Sequence, residues 1–305
     1  VKGLSTGLTT LLASGDRLFG PGSTLYEILP DDRAQSVLGA FLLSIMSIPG
    51  APGFFLGGNS TEVVLLQFDG TTWRHEGRIA SVTEGGTRFA DGGDGTIWAA
   101  AYTGRGLWRI DFRGGVNVRA PATRFDQEHG VPEARRRDSP RIIRLGEDIV
   151  ATSGTWTRRY DRVANRFVPE TRIAGLAADT GATAVQLRAS PAPFWFLTSP
   201  LEQLAQVTPV GEGRWQLKTM GSGPLRRIVP NGMYHDEPTQ TVWIAGQGAL
   251  ISADCNWQPA RPRPLLRVVF RSLTTASGEM VEGGSRARGA CDVRILSAAQ
   301  NALRF

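Results

Sequence analysis

This chain of 305 residues has little of what metal or nucleophilic catalysis uses. It has three histidines, His75, His129 and His235, and two cysteines, Cys255 and Cys291. A zinc centre needs three or four convergent ligands. No two histidines share a ligand-like spacing and the cysteines form no Cys-x-x-Cys pair, so no metal site and no cofactor are expected. Two cysteines build no disulfide framework. They are either one bond formed in an oxidising compartment or two separate small buried residues, and the sequence leaves both open. Gly221-Ser222-Gly223 lacks the Gly-x-Ser-x-Gly spacing of a strained nucleophile elbow and reads as a loop. Asp91-Gly92-Gly93-Asp94-Gly95 is followed by no Lys-Ser/Thr, so it is a turn and not a phosphate cradle. The neighbouring carboxylates Asp31-Asp32 and Asp236-Glu237 diverge on a strand or turn and cannot flank a glycosidic bond. No catalytic residue is assigned.

Helical signals are missing too. No segment sustains a 3.6-residue apolar period between caps. The one long uncharged stretch, Val37 to Thr61, carries Pro49-Gly50-Ala51-Pro52-Gly53 at its centre, which would break a membrane-spanning helix. It reads better as two inner strands, Leu42–Ile48 and Phe54–Gly57, joined by a turn. No leader is read at Val1-Lys2-Gly3-Leu4, and the chain is expected to be soluble. The net charge is +6, carried mostly by arginine. Basic balance can signal nucleic-acid binding, but these arginines are scattered over many segments and clustered only at Arg135-Arg136-Arg137. No stripe of alternating aromatic and basic residues accompanies them, and no nucleic-acid partner is expected.

What the chain does contain is a repeated phrase. A short strand ending in a large apolar residue leads through a glycine-bearing turn to a second strand that closes on aspartate. The clearest copy is Asp94-Gly95-Thr96-Ile97-Trp98 with Gly106-Leu107-Trp108-Arg109-Ile110-Asp111. Weaker copies run Gly53 to Asp69, Asp148 to Asp161 and Thr241 to Asp254. The residue ending the second apolar triplet is Phe19, Phe55, Trp98, Val150, Trp195 and Trp243 in turn, a period of roughly 40–50 residues that suits a four-stranded propeller blade. With 37 glycines and 18 prolines among Val, Ile, Thr and aromatic runs, helical repeats of similar length do not fit. The expected fold is all-β: a β-propeller of about six visible four-stranded blades over residues 1–260, part of a seven-bladed ring. In one unit, Arg141–Leu145 is read as the innermost strand, Asp148–Ser153 as the second, Arg158–Tyr160 as the third and Arg166–Val168 as the outermost. Trp98, Trp195 and Trp243 sit at the repeated position and are read as core.

The repeat resembles the two-component regulator propeller of bacterial sensor proteins, on the phrase at Asp94–Asp111 and on Glu128-His129-Gly130-Val131-Pro132, which is similar to that family's Gly-Leu-Pro inter-blade turn. The fifth unit departs from the pattern, with Gln206-Val207-Thr208 where aspartate is usual, and the first keeps only Gly20 and Leu25-Tyr26. After Pro259-Ala260-Arg261-Pro262-Arg263-Pro264, the segments Leu265-Leu266-Arg267-Val268-Val269-Phe270 and Asn301-Ala302-Leu303-Arg304-Phe305 resemble the opening of the three-tyrosine β-sandwich that follows such propellers. Residues 261–305 are therefore expected to be the truncated start of that sandwich. The resemblance implies the ligand-sensing or interaction region of a bacterial signal-transduction protein, extracytoplasmic (periplasmic) and non-catalytic in this segment. It also implies a membrane link through missing C-terminal sequence, self-association of the full-length protein, and an output such as a histidine kinase or diguanylate cyclase. A soluble DNA-binding output would place it in the cytoplasm instead. Two rival readings are a propeller glycosidase or sialidase, whose Asp-box is spaced one residue more widely on each side, and a pure protein-interaction scaffold.

In a propeller the loops after second and fourth strands share one face. That brings Tyr102-Thr103-Gly104-Arg105, Gly154-Thr155-Trp156-Thr157 and the connection from His129 to Arg137 to one region. The candidate ligand-binding residues are Tyr102, Arg105, His129, Arg135, Arg136, Arg137 and Trp156. Aromatic rings stack on sugars and guanidinium forks grip carboxylate or sulfate, so the expected partner is an anionic oligosaccharide or another small ligand.

Overall fold

The computed structural model describes residues 10–14, 17–31, 33–134, 140–153 and 155–176. Further along it describes strand segments at 182–184, 194–198, 203–219, 230–236, 241–246, 249–254, 272–275, 280–283 and 303–304. Two compact units are present, Val1–Cys255 and Asn256–Phe305.

The first unit is a series of antiparallel sheets, each a meander in chain order. The first holds β1 (Leu12–Ser14), β2 (Arg17–Pro21), β3 (Leu25–Ile28) and β4 (Ala34–Leu38), and the second β5 (Ser44–Ser47), β6 (Phe54–Gly58), β7 (Val63–Phe68) and β8 (Trp73–Arg78). The third is β9 (Gly86–Asp91), β10 (Thr96–Ala101), β11 (Leu107–Asp111) and β12 (Ala122–Phe125). The fourth is β13 (Arg141–Leu145), β14 (Asp148–Ser153), β15 (Trp156–Asp161) and β16 (Arg166–Pro169). In the fifth, β18 (Ala182–Ala184), β19 (Phe194–Thr198), β20 (Gln203–Gly211) and β21 (Arg214–Thr219) are joined at the outer edge by β17 (Ile173–Ala174), which runs parallel to β21. A sixth shows β22 (Pro230–Asp236), β23 (Thr241–Gly246) and β24 (Ala249–Asp254). All six residues at the repeated position, Phe19 to Trp243, lie on second strands, and the uncharged stretch resolves into β5 and β6 as expected. The second unit shows three short strands, β25 (Ser272–Thr275), β26 (Met280–Gly283) and β27 (Leu303–Arg304), in the order β26-β25-β27.

The core lies between the sheets. Residues along a strand point alternately to its two faces, and on β10 both faces are buried. Ile97, Ala99 and Ala101 pack with Leu56, Val63 and Leu65 of the second sheet. Trp98 and Ala100 pack with Ile142, Ile149 and Ala151 of the fourth. Equivalent layers join the first sheet to the second through Phe19, Phe55 and Trp73, and the fourth to the fifth through Val150, Val207 and Trp215. Stacked blades, each completing its neighbour's core, are the propeller arrangement. It explains why second strands read as unbroken apolar runs and not as an alternation.

Aromatic side chains fill two of these layers in edge-to-face, tilted and stacked contacts, and an arginine tops each. Trp98 lies 5.0 Å from Phe125, 4.8 Å from Tyr160 and 5.5 Å from Phe167 between ring centroids. The Arg109 guanidinium sits 5.4 Å from the Phe125 ring centre and donates to the Tyr160 hydroxyl at 2.6 Å, a cation–π arrangement. In the first layer Arg17 sits 4.9 Å from the Phe68 ring centre and is held by both Glu27 carboxylate oxygens at 2.6 and 2.5 Å.

The aspartates that close the second, third and fourth repeats have a local task. Asp69 Oδ1 accepts from the backbone N–H groups of Thr71 and Thr72 at 2.9 and 2.8 Å. Asp111 Oδ1 accepts from Arg113 N–H at 2.9 Å, and Asp161 Oδ1 from Val163 and Ala164 N–H at 3.0 Å each. Each carboxylate thus satisfies the amides of the turn between third and fourth strands. The donors hold the charged form. The Thr72 and Thr71 amides bring Asp69 from 3.8 to about 2, and the Arg113 side chain and amide bring Asp111 to about 2. A depressed folded-state pKa adds stability above the unfolded value, which is lost as pH falls through the folded one. Resistance to urea should therefore decline between about pH 4 and pH 2. The double variant Asp69→Asn, Asp111→Asn should show a shallower decline, and identical slopes would refute this account of the turns.

Candidate functional site

Each second strand begins near the turn that follows the innermost strand and ends at the opposite face, so the loops after β6, β10 and β14 share that opposite face with the connections between sheets. On that loop face, Glu84 gathers the third blade's polar groups. Its carboxylate accepts from Thr103 Oγ1 at 2.6 Å and from the Trp108 indole N–H at 3.4 Å, and Arg124 stands 3.6 Å away. Gly104 adopts φ +78°, and its carbonyl accepts from Ala134 N–H at 3.2 Å. The Tyr102–Arg105 loop is thereby tied to the connection that leads to the fourth blade.

That connection begins with a capped turn. Asp126 accepts from Glu128 N–H at 3.2 Å and meets His129 Nδ1 at 3.0 Å, while Gly130 closes the turn at φ +81°. The His129 bond holds the Asp126 carboxyl below its usual range. The His129 ring also stacks edge-on against Phe125 at 5.3 Å, so it serves the turn while staying partly open to solvent. Val131 inserts into the layer between the third and fourth blades.

Of the candidate residues, Tyr102, Arg105 and His129 do lie on this face. Arg105 is 70% exposed and stands 3.6 Å from the equally open Glu133; an ion pair so wetted is worth little, so its guanidinium stays available to a ligand. Arg135, Arg136 and Arg137 lie outside the described residues. Trp156 requires a correction. It is 4% exposed and packs with Trp98 and Phe167 inside the layer between the third and fourth blades. The strand β15 begins at Trp156, opposite Ser153. The inward alternation of that strand, and not the loop, sets the indole's direction.

On the opposite face, a groove of about 690 Å³ runs between the β5–β6 turn, the β9–β10 turn and the loop after β11. Its walls include Pro49, Pro52 and Phe112, with Arg113 and Arg144 at its edge. Both arginines are already matched: Arg113 by Asp111, and Arg144 by Asp91 at 3.1 Å and Glu147 at 2.9 Å. Arg162 bonds the Gly92 and Glu147 carbonyls, and so helps fasten the third blade to the fourth.

No family model matches the sequence, and no curated protein matches it. Solved structures share its fold. The extracellular domain assigned to a hybrid two-component system of B. thetaiotaomicron aligns over 85% of this chain, with a TM-score of 0.62 and 13% identity. Virginiamycin B lyase from Staphylococcus aureus, in a catalytically inactive form with quinupristin, aligns over 83% of this chain and 81% of its own, with a TM-score of 0.56 and 14% identity. YCF48 bound to a D1 peptide aligns over 84% of this chain and 79% of its own, with a TM-score of 0.54 and 11% identity. The architecture is a β-propeller. At these identities the likeness carries architecture alone. The chain spans 33% of the length of the two-component extracellular domain.

Proposed function

We propose that this chain is the extracytoplasmic ligand-sensing or interaction region of a bacterial signal-transduction protein, related to the two-component regulator propellers and leading into a three-tyrosine β-sandwich. The observation that carries the reading is the loop face. Two segments from successive blades, Tyr102–Arg105 and His129–Ala134, are fastened together there with an arginine, a tyrosine and a histidine. The propeller shared with an extracellular domain of a two-component system, over 85% of this chain, supports the same reading. In it the propeller binds and does not turn over its ligand, which is an acidic oligosaccharide or a similar small anion. The membrane link, the output domain and self-association belong to sequence beyond this chain.

The test is a thermal-shift and calorimetric screen of the purified chain against acidic and neutral oligosaccharides, with product analysis alongside. Saturable binding without product supports sensing. Hydrolysis or elimination of a bound glycan would replace it with an enzyme, a class that the lyase neighbours keep relevant. Arg135→Ala combined with Arg136→Ala is expected to abolish binding of the acidic glycan while shifting the melting temperature little. Unaltered binding would remove the arginine run from the site.

A further inference from the structure

The groove opposite the loop face has two walls of different chemistry. The second blade supplies one of them, the β5–β6 turn Ile48-Pro49-Gly50-Ala51-Pro52-Gly53, which carries no charge. Pro49 and Pro52 are exposed and have no N–H to donate. The Ala51 and Phe54 amides are spent inside the turn, on the Ile48 and Ala51 carbonyls at 3.1 Å each. That wall is therefore apolar and poor in donors. It is also stiff. The prolines fix two φ angles, and the Gly53 carbonyl accepts from the Phe68 N–H at 2.7 Å, which pins the turn to β7. A wall held in place beforehand loses little order when a ligand arrives.

The other wall is the third blade's, and its edge is charged but balanced. Asp111 holds Arg113 through Nε at 2.9 and 3.1 Å and through one terminal nitrogen. Arg144 reaches over from the fourth blade to Asp91 at 3.1 Å and is also held by Glu147 at 2.9 Å. The turn between β9 and β10 makes room for both arginines. Gly93 and Gly95 have φ of +77° and +79°, and a Cβ would collide with Arg144 at the first and with Arg113 at the second.

This edge favours neither sign of ion. An anion would be set against Asp91 and Asp111, and a cation against Arg113 and Arg144. Hydrogen-bonding capacity nevertheless remains. Arg113 Nη1 has no partner among the described residues. Asp91 Oδ1 accepts from the Gly93 N–H at 2.8 Å and Oδ2 from Arg144, and a carboxylate oxygen has room for a second bond. Spare donors and spare acceptors thus stand at one edge. A hydroxyl, which both donates and accepts, can use either.

We propose that this groove, at the junction of the second and third blades, binds an uncharged ring compound with an apolar face and a hydroxyl-bearing edge, the chemistry of a neutral sugar. The ring's C–H face lies along Pro49 and Pro52, and its hydroxyls meet Arg113 Nη1 and Asp91. The volume of about 690 Å³ is that of a small-molecule site. The groove is on the face opposite Tyr102–Arg105 and does not depend on the sensing role.

The test is calorimetric titration of this chain with cellobiose, maltose and glucuronate, with amide hydrogen exchange read at saturation. Saturable binding of at least one disaccharide is expected. Exchange should slow at Ala51, Gly93 and Gly115 and stay unchanged at Tyr102–Arg105. Arg113→Met keeps the side-chain stem without its donors, and should weaken binding by roughly tenfold, the size of one lost charge-assisted hydrogen bond. Arg33→Met removes a paired arginine of the first sheet that is as exposed as Arg113, 64% against 63%, and should leave binding unchanged. Should Arg113→Met fail to fold, the exchange pattern of the native chain decides. Slowed exchange at Tyr102–Arg105 instead of the groove would overturn the site by moving neutral-sugar binding to the loop face. Failure of both disaccharides to bind, undiminished binding in the folded Arg113→Met, or equal slowing of the groove amides by glucuronate would overturn it as well. None of these results touches the acidic-glycan reading of the loop face, which its own screen tests.

Discussion

Replacing Trp98 with alanine is expected to destabilise the propeller by about 3–5 kcal/mol, the usual loss for truncating a fully buried large aromatic. Trp98 is 1% exposed and contacts three other rings, Phe125 of its own blade and Tyr160 and Phe167 of the fourth. Its removal empties the middle of a layer that two sheets share, and neither backbone can collapse into the gap without leaving its own ladder. The cation–π contact of Arg109 over the same rings loses part of its support as well. Trp98→Phe should keep much of the stability, because the ring packing survives in reduced form. Urea unfolding followed by circular dichroism reads both variants. A loss below about 1 kcal/mol for the alanine variant would mean that the layer is not the core.

The second large effect is expected at Gly130. Its φ is +81°, and a Cβ placed there would stand 2.0 Å from the Phe167 carbonyl oxygen on β16. Alanine in left-handed backbone costs about 1–2 kcal/mol, and the clash must also push the connection away from the fourth blade. About 2–4 kcal/mol in total is expected for Gly130→Ala. Gly50→Ala separates the two parts: its φ is +76° with nothing within 4 Å of the added carbon, so it should show the backbone cost alone. Equal losses in the two variants would show that the close approach to Phe167 carries no weight.

Gly130 belongs to the phrase Glu128-His129-Gly130-Val131-Pro132, and the sequence marked it well. Strands were legible for a related reason. A second strand buried on both faces must be apolar throughout, and a turn must carry glycine or aspartate, so Thr96-Ile97-Trp98-Ala99 and Asp111 both advertised their places. Trp156 was misleading because a glycine and a threonine precede it. Nothing local tells a turn's last residue from a strand's first when the strand's inward face is decided by the next blade. The two-residue strand β17 left no trace either, since parallel pairing of Ile173 with Trp215 comes from tertiary contact and not from pattern.

The placement of the apolar layers between blades, and not within them, bears on how such a chain grows. Copying one blade's stretch of sequence inserts one sheet and, with it, one more layer made from faces that already fit each other. Duplication of a whole unit therefore leaves no orphaned surface along the array, whereas a copy of half a unit would pair an inner strand's face with an outer one. The spacing from Phe19 to Trp243 is uneven because only the layer residues must recur; the loops between them were free to lengthen separately, each on its own face.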